Sequence, residues 1–147
     1  MIDASSCTLG VADEMELDGV EVLDSVAWVH DRLLDRLRVT HRLRNAAVHP
    51  TCACSQLGHA DKLAAIAQRL AEEVVVPAAT GCCGMAGDRG WLHPELPASA
   101  LEDVARELDG RRFDRCVSSN RTCEIALHRE TGYRYGSFVL MLEELTR

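Results

Sequence analysis

Two adjacent cysteines, Cys82 and Cys83, lie in a loop punctuated by Gly81, Gly84 and Gly87, directly after the β-branched run Glu73-Val74-Val75-Val76-Pro77. Neighbouring side chains on a strand point to opposite faces. Both thiols can therefore approach one ligand only from irregular backbone, and the glycines supply that freedom. The run before them reads as a strand stopped by proline. Ala46-Ala47-Val48-His49-Pro50 has the same form and leads into the turn Thr51-Cys52-Ala53-Cys54. A third apolar run, Phe113 to Ser119, continues through Asn120-Arg121-Thr122 to Cys123.

Helical stripes separate these runs. Val22, Val26, Val29, Leu33 and Leu37 recur at helical spacing over 21–37, and Leu63, Ile66, Ala67 and Leu70 do so over 59–71. A helix is expected over 97–108, opened near Pro97 or Ser99 and stopped by Gly110. Another should run from the Cys123 turn through His128, and a last amphipathic one over 137–145. Strands alternating with helices predict an α/β fold, a small and mostly parallel sheet flanked by helices. Functional loops of such sheets gather at the carboxyl ends of the strands. Each of the three cysteine-bearing turns follows a strand, so parallel neighbours would bring them to one edge.

The thiols are the feature to explain. The chain has seven cysteines (Cys7, Cys52, Cys54, Cys82, Cys83, Cys116, Cys123) in 147 residues. Met1 to Gly10 lacks the basic-then-apolar pattern of a signal peptide, and no apolar stretch reaches the roughly 18 residues of a membrane span. The expected location is cytoplasmic, extending to peripheral attachment at the inner face of the membrane. In a reducing compartment cysteines hold metal or do redox chemistry more often than they form disulfides, and the odd number weakens a fully paired framework. The net charge of −7 and the six aromatic residues argue against nucleic acid as a partner. Of the basic residues only Lys62 is lysine.

Twenty-nine residues separate Cys52 from Cys82, and 39 separate Cys83 from Cys123. Zinc knuckles use local C-x₂₋₄-C pairs, so a site built from these cysteines would be made by the fold. A multinuclear cluster accepts neighbouring thiolates more readily than a single tetrahedral zinc.

Gly81-Cys82-Cys83-Gly84, with Cys52 after His49-Pro50-Thr51 upstream and Cys123 downstream, resembles the cysteine-rich CCG domain. That domain occurs in heterodisulfide reductase and in the iron–sulfur subunits of glycolate oxidase and anaerobic glycerol-3-phosphate dehydrogenase. Five further segments look like the C-terminal end of bacterial FAD- and iron–sulfur-containing D-lactate dehydrogenases. They are Asp3-Ala4-Ser5-Ser6-Cys7-Thr8, Val48-His49-Pro50-Thr51-Cys52, the run Gly81 to Gly90, His93-Pro94-Glu95-Leu96 and Ser118-Ser119-Asn120-Arg121-Thr122-Cys123-Glu124. The resemblance implies a [4Fe–4S] cluster held by Cys52, Cys82, Cys83 and Cys123. It also implies FAD on an upstream flavin domain, a ferredoxin-type domain beside it, and a quinone or cytochrome as electron acceptor. The chain would then be one part of a flavin-linked 2-hydroxyacid dehydrogenase of the D-lactate or glycolate type. The family's downstream C-x-x-C pair is reduced here to Cys123, with Asn120 in the first position, which removes the fifth thiolate of a noncubane cluster. Residues 1–10 are expected to be the tail of a preceding cysteine-rich repeat, since Ile2 to Cys7 echoes Val117 to Cys123, and residues 11–147 the CCG-type domain itself.

Other readings use the same residues. Zinc on the same thiols would make this a structural or interaction domain without redox activity. A cysteine nucleophile would need a base and an oxyanion pocket, and nothing assigns His49 or His93 to that work. Gly81 to Gly90 lacks the Gly-Lys-Ser/Thr ending of a phosphate-binding loop. Cys116 is expected as a small buried hydrophobe, and Cys7 as a spectator more than a fifth ligand. Cys54 is closer to the site without matching a motif position. Arg89 is expected either to donate toward cluster sulfur or to pair with Asp88, and Asn120 to cap the helix that follows it.

Overall fold

The structure, a computed structural model, describes residues 1–15 and 18–147. Four strands form an all-parallel sheet: β1 (Leu43–His49), β2 (Ala71–Val75), β3 (Arg115–Ser118) and β4 (Tyr135–Ser137), in the order β2-β1-β3-β4. In register, Ala47 lies beside Val75 on one side and Cys116 on the other, His49 lies beside Ser118, and Cys116 lies beside Tyr135. The α/β expectation holds, and among the described residues every strand pairing in this sheet is parallel.

The two faces of the sheet carry separate cores. On one, Val48 and Val117 pack with Val26 and Val29, with Leu63, Ile66, Ala67 and Leu70 of α4 (Ala60–Leu70), and with Phe138, Met141, Leu142 and Leu145 of the C-terminal helix (Phe138–Thr146). On the other, Ala47, Cys116 and Tyr135 pack with Leu101, Val104 and Leu108 of the helix Glu95–Leu108 and with Cys123, Ala126 and Leu127 of the helix Arg121–Thr131. The predicted stripe Leu63, Ile66, Ala67 and Leu70 is the buried face of α4. Central β1 is covered on both sides, so Ala46, Ala47, Val48 and His49 are all fully buried.

In chain order the helices are α1 (Ser5–Glu14), α2 (Ser25–Trp28), α3 (Cys52–Gln56), α4, α5 (Arg89–Leu92), α6 (Glu95–Leu108), α7 (Arg121–Thr131) and α8 (Phe138–Thr146). Several elements differ from expectation. The stripe over 21–37 becomes helical only at Ser25, because the Asp24 carboxylate accepts the Val26 N–H at 2.9 Å and starts α2 there. The helix then loosens into a π turn at Val29–Leu33 and a 3₁₀ turn at Leu34–Arg36. The Thr51 turn is helix α3, with the Thr51 side chain accepting the Cys54 N–H. Strand β4 is too short to leave a periodic signal. Helix α1 was not anticipated; Ile2 forms a parallel bridge with Asp24, and Thr8 Oγ1 donates to the Asp24 carboxylate at 3.1 Å. Among the described residues no helix is long and apolar enough to cross a membrane.

The connections set where a site can form. From β1 the chain crosses the first face through α3 and α4 to reach β2. It returns beneath the second face through α6 to β3, then continues through α7 to β4. The segments leaving β1 and β3 therefore diverge to opposite faces and open a crevice at their carboxyl ends, the position where ligands settle in open parallel sheets.

A candidate four-thiol metal site

Cys52 begins α3 after β1, Cys82 and Cys83 lie in the loop after β2, and Cys123 occupies the third position of α7 after β3. The crevice draws all four together. The Cys83 and Cys123 sulfurs are buried, share a hydrogen bond and lie 2.8 Å apart. Cys52 and Cys82 are exposed at the mouth. The vicinal pair is thus split, Cys83 turning into the core and Cys82 outward. Gly84 makes the split feasible: its φ is +74°, and a Cβ there would stand 2.7 Å from the backbone of Leu96 and Pro97. The Gly84 N–H points to the Cys82 sulfur at 3.4 Å.

Mutual proximity shows in the acidities. Beside Cys123, and with the N–H groups of Met85 and its own residue directed at it, Cys83 is held down at about 7. Cys123 is driven strongly up by Cys83 next to it, with burial and the charges of Cys52 and Cys82 adding to the rise. Burial raises Cys52, and the nearby Cys82 and Cys83 raise it further. Cys52 and Cys123 thus resist losing their protons beside neighbouring thiols, while Cys83 takes the charge more readily.

Soft thiolates are the donors that zinc and iron–sulfur centres take, so the donor set fits such a group by type. It does not close on a metal as it stands: among the described residues no three His, Cys, Asp or Glu side chains are grouped to hold an ion. Two thiolates on one tetrahedral zinc lie about 3.8 Å apart at a Zn–S bond of about 2.3 Å. The 2.8 Å between Cys83 and Cys123 is too short for that, so this pair must part to admit a metal.

The remaining sequence candidates separate clearly. Cys54 is buried in the opposite core, and burial pushes it up to about 11. Cys116 is buried in the sheet, likewise raised to about 11 by burial. Cys7 is exposed on the first turn of α1. His93 is exposed and pairs with Glu95 at 3.2 Å. Arg89 is exposed at the start of α5, and among the described residues no ion pair joins it to Asp88. Asn120 stands at the cap position of α7 without capping it; its amide instead donates to Ser6 Oγ at 2.9 Å. His49 is fully buried, and its imidazole is held down at about 4 by that burial.

Sequence reasoning passed over the hydroxyls around the crevice. Thr51 and Ser119, each a short step before a site cysteine, have their oxygens 3.3 Å apart and link the two diverging segments. Ser118 Oγ donates to the His49 carbonyl at 2.8 Å. Their positions directly upstream of the cysteines were the available signal.

No curated protein matches the chain. The model of the CCG family, described as a cysteine-rich domain, matches residues 46–128, from within β1 into α7 and more than half of the chain. All four converging thiols lie inside that span. This chain belongs to the CCG cysteine-rich domain family.

Proposed function

We propose that this chain is an iron–sulfur electron-transfer domain that binds a [4Fe–4S] cluster through Cys52, Cys82, Cys83 and Cys123. In this reading it is the C-terminal part of a flavin-linked 2-hydroxyacid dehydrogenase of the D-lactate or glycolate type. Residues 1–10 end a preceding cysteine-rich repeat and residues 11–147 form the CCG-type domain. The observation that carries the reading is the convergence of four thiols from three strand–helix connections, two buried and two at the mouth. When bound, the cluster supplies a one-electron relay between a flavin module and an acceptor such as a quinone or cytochrome.

The protein's residues set the conditions for that relay. Cys52, Cys82, Cys83 and Cys123 would hold the group, with the Cys83–Cys123 contact opening to admit it. Met85, Leu101, Ala126 and Leu127 are fully buried in the same core and keep water from the inner sulfurs. The Gly84 N–H on Cys82, with the Met85 N–H directed at Cys83, offsets thiolate charge and favours the reduced state. The match of Cys7 and Cys123 as third residues of α1 and α7, each after a strand-like pairing, supports an N-terminal repeat remnant.

The test is iron, zinc and acid-labile sulfide per chain on protein purified without oxygen, with its visible spectrum. About four irons and four sulfides, with absorbance that bleaches on reduction, is the expected result. Stoichiometric zinc without sulfide would replace this reading with a structural zinc domain.

A further inference from the structure

His49 ends central strand β1 fully buried, yet neither Nδ1 nor Nε2 of its ring has a hydrogen-bond partner within the protein. Buried polar groups in native proteins are nearly always paired, because an unpaired one keeps its desolvation cost. Two hydroxyls close to it along the chain and across the strand pairing are engaged otherwise: Ser118 Oγ donates to the His49 carbonyl, and Thr51 Oγ1 accepts the Cys54 N–H and lies 3.3 Å from Ser119 Oγ.

Strand alternation says where the ring points. Val48 enters the first core beside Val117, whereas Ala47 enters the second beside Cys116, in the same cluster as Cys83 and Cys123. His49 lies two residues beyond Ala47 and therefore on the same face. That step is about 6.6 Å toward the carboxyl edge. The ring is thus directed to the face of the sheet that carries Cys83 and Cys123, one step nearer the edge where their loops emerge.

We propose that His49 is a positioning residue for the group held at those thiols, its ring N–H donating to sulfur on the buried side once Cys83 and Cys123 part. This rests on the cluster-binding reading above. While the two inner sulfurs are closed on each other, neither ring nitrogen is bonded to a thiol. An N–H···S bond stabilises the more negatively charged reduced state, so its loss moves the potential downward.

The test compares the wild-type chain with His49→Phe, which keeps an aromatic ring without a donor, and His49→Gln, which keeps an N–H. All three are reconstituted with iron and sulfide without oxygen. The expected result is equal iron and sulfide in all, a more negative potential for H49F, and a potential near wild type for H49Q. With ¹⁵N-labelled histidine, pulsed EPR of the reduced wild type should show one weak nitrogen coupling that H49F lacks. Equal potentials with no such coupling overturn the proposal while leaving the cluster intact. A strong coupling, the mark of imidazole bonded directly to iron, also overturns it. If H49F fails to load, melting of the metal-free chains decides. An unchanged Tm with loading restored in H49Q supports the proposal, and a Tm lowered equally in both variants overturns it. A wild-type chain that takes up no iron and sulfide overturns the cluster reading and this proposal together.

Discussion

Cys83 and Cys123 are 40 residues apart in sequence, yet their sulfurs lie 2.8 Å apart inside the second core. One arrives on the loop after β2 and the other on the first turn of α7. They meet because β2 and β3 flank β1 in one parallel sheet. The contact divides the four thiols into a buried inner pair and an exposed outer pair.

Replacing either inner thiol, as Cys83→Ser or Cys123→Ser, should abolish bound iron and sulfide. Cys116→Ala should leave both at wild-type levels, because that thiol belongs to the floor of the core. Metal and sulfide analysis of the three variants, with circular dichroism to confirm folding, checks this.

Gly84→Ala should destabilise the chain by about 2 kcal/mol or more, because strained backbone and overlap with the Leu96 backbone add together. Gly87 shares the left-handed backbone, with φ +77°, but a Cβ there meets open space. Gly87→Ala should therefore cost only about 1 kcal/mol. Urea denaturation of both variants isolates the close approach, and G84A should also lose metal because its loop carries Cys82 and Cys83.

His49 makes the metal-free fold sensitive to acid. Its ring is held at about 4 in the folded chain against 6.5 ordinarily. The unfolded chain therefore takes up the proton first as pH falls. This contribution is fully present above pH 6.5 and is lost progressively down to about pH 4, a loss of about 3 kcal/mol. His49→Phe should flatten that part of the stability profile, measured by urea unfolding of metal-free protein between pH 7 and pH 4.

Asp24 both caps α2 and anchors α1 through Thr8. Asp24→Ala should cost about 1–2 kcal/mol, whereas Asp24→Asn, which keeps an acceptor, should cost less. Limited proteolysis should release the N-terminal segment from D24A earlier than from the wild type.

Much of the architecture was legible in residue order. The β-branched run before Pro77, the stripe Leu63, Ile66, Ala67 and Leu70, and the cysteine turn after each of three strands specify an alternating α/β chain, because burial on one face leaves a period in the sequence. The glycines around Cys82 and Cys83 likewise announce irregular backbone. Strand order was not legible, since periodicity records that a residue is buried without recording its neighbour. The placement of β2 and β3 on either side of β1, and the crevice this opens, are tertiary facts.

The same division separates Cys52 from Cys54. Read as a turn, the segment left both near one site; as helix α3 it sets them about 200° apart around the axis. Cys52 therefore reaches the crevice and Cys54 the opposite core. Identity and spacing of the thiols belong to the sequence. Which of them meet, which stay in the core, and that His49 is buried without a partner were decided by packing, because those outcomes depend on surfaces contributed by residues far away along the chain.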